Sequence, residues 1–203
     1  MKKILCLLLC MLTLVTLSAS AEFWGGLSIS SGRNYFSSAL KESLQLNPIY
    51  KDTFMVNTIG PYFDAVFFPS SKVRAGVVGS AGADFTISRN SEGYFSRHFD
   101  NSLDFSLGLA YYQLLNNDTW GFFIDSRYFS KIYNYATNNE KNNKLEQFKY
   151  TRSDESGVNA SIGFLSKLRN SYFKMGFKFA LPITSKLFDG WRLDIFAGGG
   201  VCF

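Results

Sequence analysis

One histidine, three cysteines and four prolines are spread over 203 residues, and only 18% of the chain is charged. With His98 the single histidine, multi-histidine metal sites are excluded, and any histidine-dependent catalysis must run through that residue. No apolar run reaches the roughly 20 residues that a helix needs to cross a bilayer. The longest, Ile4 to Leu17, falls short of it. Mean hydropathy is close to zero at −0.02, which fits neither a disordered chain nor a bundle of membrane helices. What the chain has in quantity is hydrophobic residues, 46%, and aromatic ones, 17%.

The first residues read as a targeting segment. Met1-Lys2-Lys3 is a short basic start, Ile4 to Leu17 is apolar, and Ala19-Ser20-Ala21 puts small residues at −3 and −1 of a cleavage before Glu22. Residues 1–21 are therefore expected to be a secretory signal, and 22–203 a single domain of 203 − 21 = 182 residues. The domain's formal charge is (21 − 2) − 16 = +3, so part of the basic balance belongs to the signal and no nucleic-acid partner is expected. Cys6 and Cys10 leave with the signal. Cys202 alone allows no internal disulfide and no zinc framework. Leu7-Leu8-Leu9-Cys10 resembles a lipobox only faintly, since it lacks the small residue before the cysteine.

Beyond residue 21 the pattern has a period of two. In Leu103–Tyr112 large apolar groups hold the odd positions and small or polar ones the even positions. In Tyr172–Ile183, Phe173, Met175, Phe177, Phe179, Leu181 and Ile183 share one side. Trp120–Ile132 and Trp191–Phe203 alternate likewise, and Glu22–Ser31, Met55–Phe68, Lys72–Ala83 and Ser156–Leu168 do so more weakly. Successive side chains of a strand point to opposite faces, so these are eight expected strands, each with one bulky apolar face.

The second face decides the architecture. It mixes glycine, serine and alanine with isolated charges, which suits a narrow shared interior, while the continuous aromatic and aliphatic face suits hydrocarbon. Strands can cross lipid only in a closed sheet, because an open edge would leave backbone groups without partners. The expected fold is thus all-β, a closed antiparallel eight-stranded transmembrane up-and-down barrel. The connections agree: 32–54, 84–101 and 133–155 are long and 184–190 moderate, alternating with short turns at 69–71, 114–118 and 169–170. Asn116-Asn117 is a suitable hairpin corner. Aromatics gather near the expected strand ends as two girdles: Phe67, Phe68, Tyr111, Tyr112, Trp120, Tyr172 and Phe173 on the turn side, Tyr128, Phe129, Tyr133 and Trp191 toward the loops. Trp24 is the exception, since its parity points inward.

Trp191–Phe203, ending on an aromatic after alternating apolar residues, resembles the closing strand of the small eight-stranded bacterial outer-membrane barrels, the OmpA transmembrane domain, OmpX and opacity-type group. The resemblance covers 22–203 as a pattern and the last strand as a motif. It implies that Trp191, Leu193, Ile195, Val201 and Phe203 form the signal read by the barrel-assembly machinery. With the chain stopping at Phe203, no peptidoglycan-binding domain is expected.

Asp64, Arg74, Asp104, Asp125, Arg127, Lys131, Lys178, Arg192 and Asp194 fall on the inner face and are expected to brace it as an ion-pair network, with Asp104 and Arg127 opposite or diagonal on one hairpin. Ser96, His98 and Glu92 supply the residue types of a lipid A deacylase or acyltransferase, but in an order reversed from the family pattern, and the bland reading is an ordinary loop. Gly76-x-x-Gly79-x-x-Gly82 and Gly198-Gly199-Gly200 open no helix and are read as making room on a crowded inner face. Ser38–Leu46 has the spacing of a short amphipathic helix over the barrel mouth. No catalytic residue, cofactor or metal is expected. The expected role is structural or adhesive, in the bacterial outer membrane, with surface loops meeting host or envelope ligands and the wall meeting outer-membrane lipids. A small-solute channel comes next, then a lipid A-modifying esterase.

Overall fold

The computed structural model describes residues 21–35, 55–70, 74–87, 99–115, 118–138, 148–185 and 190–203. The targeting segment up to residue 20, the 38–46 segment, Ser96, His98, Glu92 and the Asn116-Asn117 corner lie outside them.

Eight strands follow one another: β1 (Glu22–Tyr35), β2 (Met55–Phe68), β3 (Ala75–Ile87), β4 (Phe99–Leu115), β5 (Trp120–Asn138), β6 (Phe148–Leu168), β7 (Ser171–Thr184) and β8 (Arg192–Cys202). Each pairs antiparallel with its sequence neighbour, and β8 returns to β1 from Trp24↔Cys202 to Gly32↔Asp194, closing the barrel. Beyond β8 the ring is tied once more, because Phe23 and Phe203 exchange both backbone hydrogen bonds, at 3.0 and 2.8 Å. No helix occurs among the described residues.

The β4–β5 and β6–β7 turns reverse the chain through left-handed backbone at Asp118 (φ 65°) and Arg169 (φ 54°). Aspartate tolerates this region; a bulkier residue such as arginine adopts it less readily.

The bulky faces point out. Leu109 is 69% exposed and Ile195 58%, whereas Trp24 and Phe123, on the opposite parity, are fully buried. The apolar rows of all eight strands merge into one band around the barrel, the kind of contiguous exposed apolar face that soluble monomers rarely show to water. Inside, parity brings in Ser28, Ser30, Ser161, Asn159 and most of the charges. Tight interior spacing explains part of the glycine pattern. Tyr62 pairs with Gly82 across β2–β3, and a Cβ at Gly82 would overlap the Tyr62 ring.

Two expectations need correction. The strands run past the sequence boundaries, so the three long connections shrink from 32–54, 84–101 and 133–155 to 36–54, 88–98 and 139–147. Residues at these ends no longer need an apolar side, so alternation fades while the hydrogen-bonded ladder continues. Conversely β3 begins at Ala75, later than the expected Lys72.

The aromatic girdles are also thinner than expected. Phe68, Tyr112, Tyr172 and Phe129 face the interior, while Tyr111, Trp120, Tyr128, Phe173 and Trp191 face out. Phe67-Phe68, Tyr111-Tyr112, Tyr128-Phe129 and Tyr172-Phe173 are adjacent doublets, and alternation permits only one ring of each to point outward.

Candidate functional site

The interior is the part of this chain with chemistry in it, and it is stacked in layers. At the turn end lies an aromatic cluster. Trp24 meets Phe68 (5.8 Å between centroids), Tyr112 (5.4 Å) and Tyr172 (5.0 Å), and Tyr112 continues to Phe123 (5.5 Å). Val66, Val78, Leu114, Leu165 and Cys202 fill the space around the rings. Edge-to-face pairs of this kind add roughly 0.5–1.5 kcal/mol each beyond the area they bury.

Above it comes a layer built on Arg127. Its guanidinium takes Asp125 in a two-pronged bond (2.9 and 2.8 Å) and donates to Asp64 at 3.0 Å. Asp64 is completed by the Lys174 ammonium at 3.1 Å and by Ser28 Oγ, which donates at 2.7 Å. The next layer centres on Lys131, within 2.5 Å of Asp84 and 3.2 Å of Asp104. Tyr62 donates to Asp84 at 2.6 Å while Lys178 lies 4.8 Å over the Tyr62 ring and pairs with Asp194 at 3.0 Å. Nearest the loops, Arg192 pairs with Glu155 at 2.9 Å and stacks over Phe129 at 5.2 Å.

Among the described residues six carboxylates, of Asp64, Asp84, Asp104, Asp125, Glu155 and Asp194, thus meet five cations, of Arg127, Lys131, Lys174, Lys178 and Arg192. A charge left alone in such surroundings costs several kcal/mol, so each holds the others in place.

Of the nine charges expected inside, Arg74 lies elsewhere. It precedes β3 at the turn-side rim, where it bridges Glu22 (3.1 Å) and Asp118 (3.3 Å), while Lys167 closes on Glu22 from β6. The expected Asp104–Arg127 juxtaposition is also corrected. Asp104 stands opposite Lys131, and Arg127 stands opposite Gly108, four positions along. Alternation tells which face a side chain occupies, and a slip of two or four leaves it unchanged, so parity could not fix the partner.

Sequence reasoning misses Asp84, Glu155 and Lys174 as members of the network. Asp84 and Glu155 fall within the expected loops, because the outward apolar rows stop before them. Lys174 carries a usable signal, since it sits on the inward parity of β7 among Gly176, Lys178 and Ala180.

The interior polar side chains enclose a cavity of about 30 Å³ between the aromatic and loop-side layers, bounded by Tyr62, Asp64, Arg127 and Asn159 among others. That is room for about two waters. Among the described residues Asn159 Oδ1 has no protein donor, and Asn159 lines this polar space. Among the described residues no cluster of three or more histidine, cysteine, aspartate or glutamate side chains could hold a metal, and the close carboxylates are already occupied by Arg127 and Lys131.

This is the architecture of the small eight-stranded outer-membrane barrels. No protein-family model matches the chain, and no curated protein matches it. Several solved structures share the fold, three of them as follows. The attachment invasion locus protein Ail of Yersinia pestis, crystallised with the heparin analogue sucrose octasulfate, is 12% identical with a TM-score of 0.55, over 91% of this chain and 99% of Ail. Neisserial surface protein A has a TM-score of 0.55 at 9% identity, over 91% and 99% of the two chains. A major outer membrane protein of Thermus thermophilus has a TM-score of 0.53 at 11% identity, over 91% and 100%.

Proposed function

We propose that this chain is a non-enzymatic protein of the bacterial outer membrane, exported after removal of residues 1–21, with a barrel plugged by its own side chains and loops that act in adhesion or recognition at the cell surface. The observation that carries this reading is the occupied lumen: among the described residues an aromatic layer and three layers of paired charges are stacked across it, with a cavity of about 30 Å³ among them. The apolar outer band supports the bilayer, because only a closed barrel can present such a face to lipid with its backbone satisfied. With both ends of the chain on the short-turn side, the 36–54, 88–98 and 139–147 connections fall on the opposite face, the external one in barrels of this type.

A filled interior leaves the outer surface and the loops as the places where a ligand can act. Ail, of like fold, was crystallised with a sulfated saccharide, which supports surface recognition as the role of such a scaffold. Host or envelope molecules are the partners this reading assigns to the loops, and the barrel-assembly machinery is the partner assigned to Trp191, Leu193, Ile195, Val201 and Phe203 during biogenesis. No reaction is assigned to Ser96, His98 and Glu92.

Planar-bilayer recording of the folded protein tests the plug. Wild type is expected to give no stable conductance steps, and so is the Lys178→Met variant, whose loss should appear as lower stability alone. Discrete, voltage-stable steps in wild type would establish a small-solute channel instead.

A further inference from the structure

The β1–β8 seam is uneven at the loop end. The last β1–β8 partnership is Gly32 with Asp194, but β1 continues against β2 through Arg33↔Asn57 to Tyr35↔Met55. The outward row of β1 changes character there, from Leu27 and Ile29 to Ser31, Arg33 and Tyr35. Beside it β8 presents Ile195, Leu193 and then Trp191, 63% exposed. The step forms a notch of about 400 Å³ on the outside of the barrel, within the roughly 300–1,000 Å³ typical of small-molecule sites. Its lower wall is apolar (Leu193, Ile195), its rim aromatic (Tyr35, Trp191), and its cation is Arg33, oriented by Asn57, whose Oδ1 accepts from Nε at 3.1 Å. Among the described residues no carboxylate pairs with Arg33.

We propose that this notch is a binding site for the phosphate-bearing headgroup of an anionic membrane lipid. Arg33 takes the phosphate, the two rings lie at headgroup level, and the first methylenes of an acyl chain run down over Leu193 and Ile195. This rests on the membrane reading above and adds to it a named lipid-facing site. The choice of a lipid over a soluble phosphate follows from placement. Among the described lining residues Arg33 is the one cation, and it stands directly above an apolar wall, so a ligand with both a charge and a chain satisfies both parts, whereas free phosphate uses only Arg33. A guanidinium held by Asn57 keeps donors for phosphate oxygens, and aromatic rings with a polar edge favour the headgroup zone.

Quenching of Trp191 by brominated lipids tests the site directly. Trp24 is buried in the interior and Trp120 lies at the opposite rim, so the full mature chain carrying Trp120→Phe reports from Trp191. It is folded into phosphatidylcholine vesicles in which either brominated phosphatidylglycerol or brominated phosphatidylcholine is titrated at equal mole fraction. Relative association with the anionic lipid should be about fivefold higher, the preference expected of one cation at the surface. Arg33→Gln should bring the ratio to about one, and Arg33→Lys should keep most of it, with a heat-modifiable gel shift confirming that each variant is folded. Equal quenching by the two lipids in the inserted wild type, or a preference that Arg33→Gln leaves intact, overturns the site while the membrane reading stands. Loss of the preference on adding millimolar inorganic phosphate at constant ionic strength overturns the lipid as ligand. If neither brominated lipid quenches Trp191, the chain is not in the bilayer and the membrane reading falls as well.

Discussion

Lys131 carries more of the interior than its single charge suggests. Its ammonium sits between the carboxylates of Asp84 and Asp104, with Tyr62 donating to the first of them. Lys131→Met would leave two like charges adjacent and uncompensated, and breaking a buried pair in this way costs about 3–5 kcal/mol. The expected result is a large fall in the urea midpoint of the folded protein in lipid vesicles, most of it recovered when Asp84→Asn and Asp104→Asn are added. Gly82→Val is a second case. Its side chain would enter the space of the Tyr62 ring, displacing the hydroxyl from Asp84, so a loss of roughly 1–3 kcal/mol from overpacking is expected in the same assay. At this scale the sequence is legible as to face but not as to partner. Asp125 and Arg127 can be placed inside from alternation alone. That Arg127 reaches Asp64 across the lumen depends on how far each strand is staggered, which no local pattern records.

Strands show their middles in the sequence and hide their ends. Leu107 and its outward neighbours on β4 alternate cleanly because one face meets an apolar surrounding and the other a crowded interior. Leu107→Arg is therefore expected to cost about 2–4 kcal/mol in vesicle unfolding, whereas Leu115→Arg, at the turn-side end of β4, should cost about 0–1 kcal/mol. Equal costs at the two positions would place the apolar band wrongly. Past the band neither face is obliged to be greasy, and this is why β5 and β6 continue beyond the point where alternation stops and why Asp84 and Glu155 read as loop residues. The closing strand supplies a different expectation. Phe203→Ala keeps both backbone bonds to Phe23 but removes the terminal ring, so refolding in vitro should be nearly unchanged while assembly in cells falls severalfold by heat-modifiable gel. A parallel loss in both assays would make the ring a packing element and not an assembly signal.

For the molecule as a whole, strand number, order and closure are legible, because eight one-sided strands with alternating long and short connections have few other ways to bury their polar backbone edges. The position of the surface apparatus is not. Interstrand pairing is uneven around the ring: β6 leaves β7 at Ser156↔Thr184, yet stays with β5 from Asp154↔Ile132 to Phe148↔Asn138. Six further steps at about 3.3 Å amount to roughly 20 Å of ladder along the strand direction. The barrel therefore has a tall side and a low side. A two-stranded mast of β5 and β6 stands above the β6–β7 pairing beside it, so among the described residues the rim is a slope, and a body settling onto that side would touch the mast first.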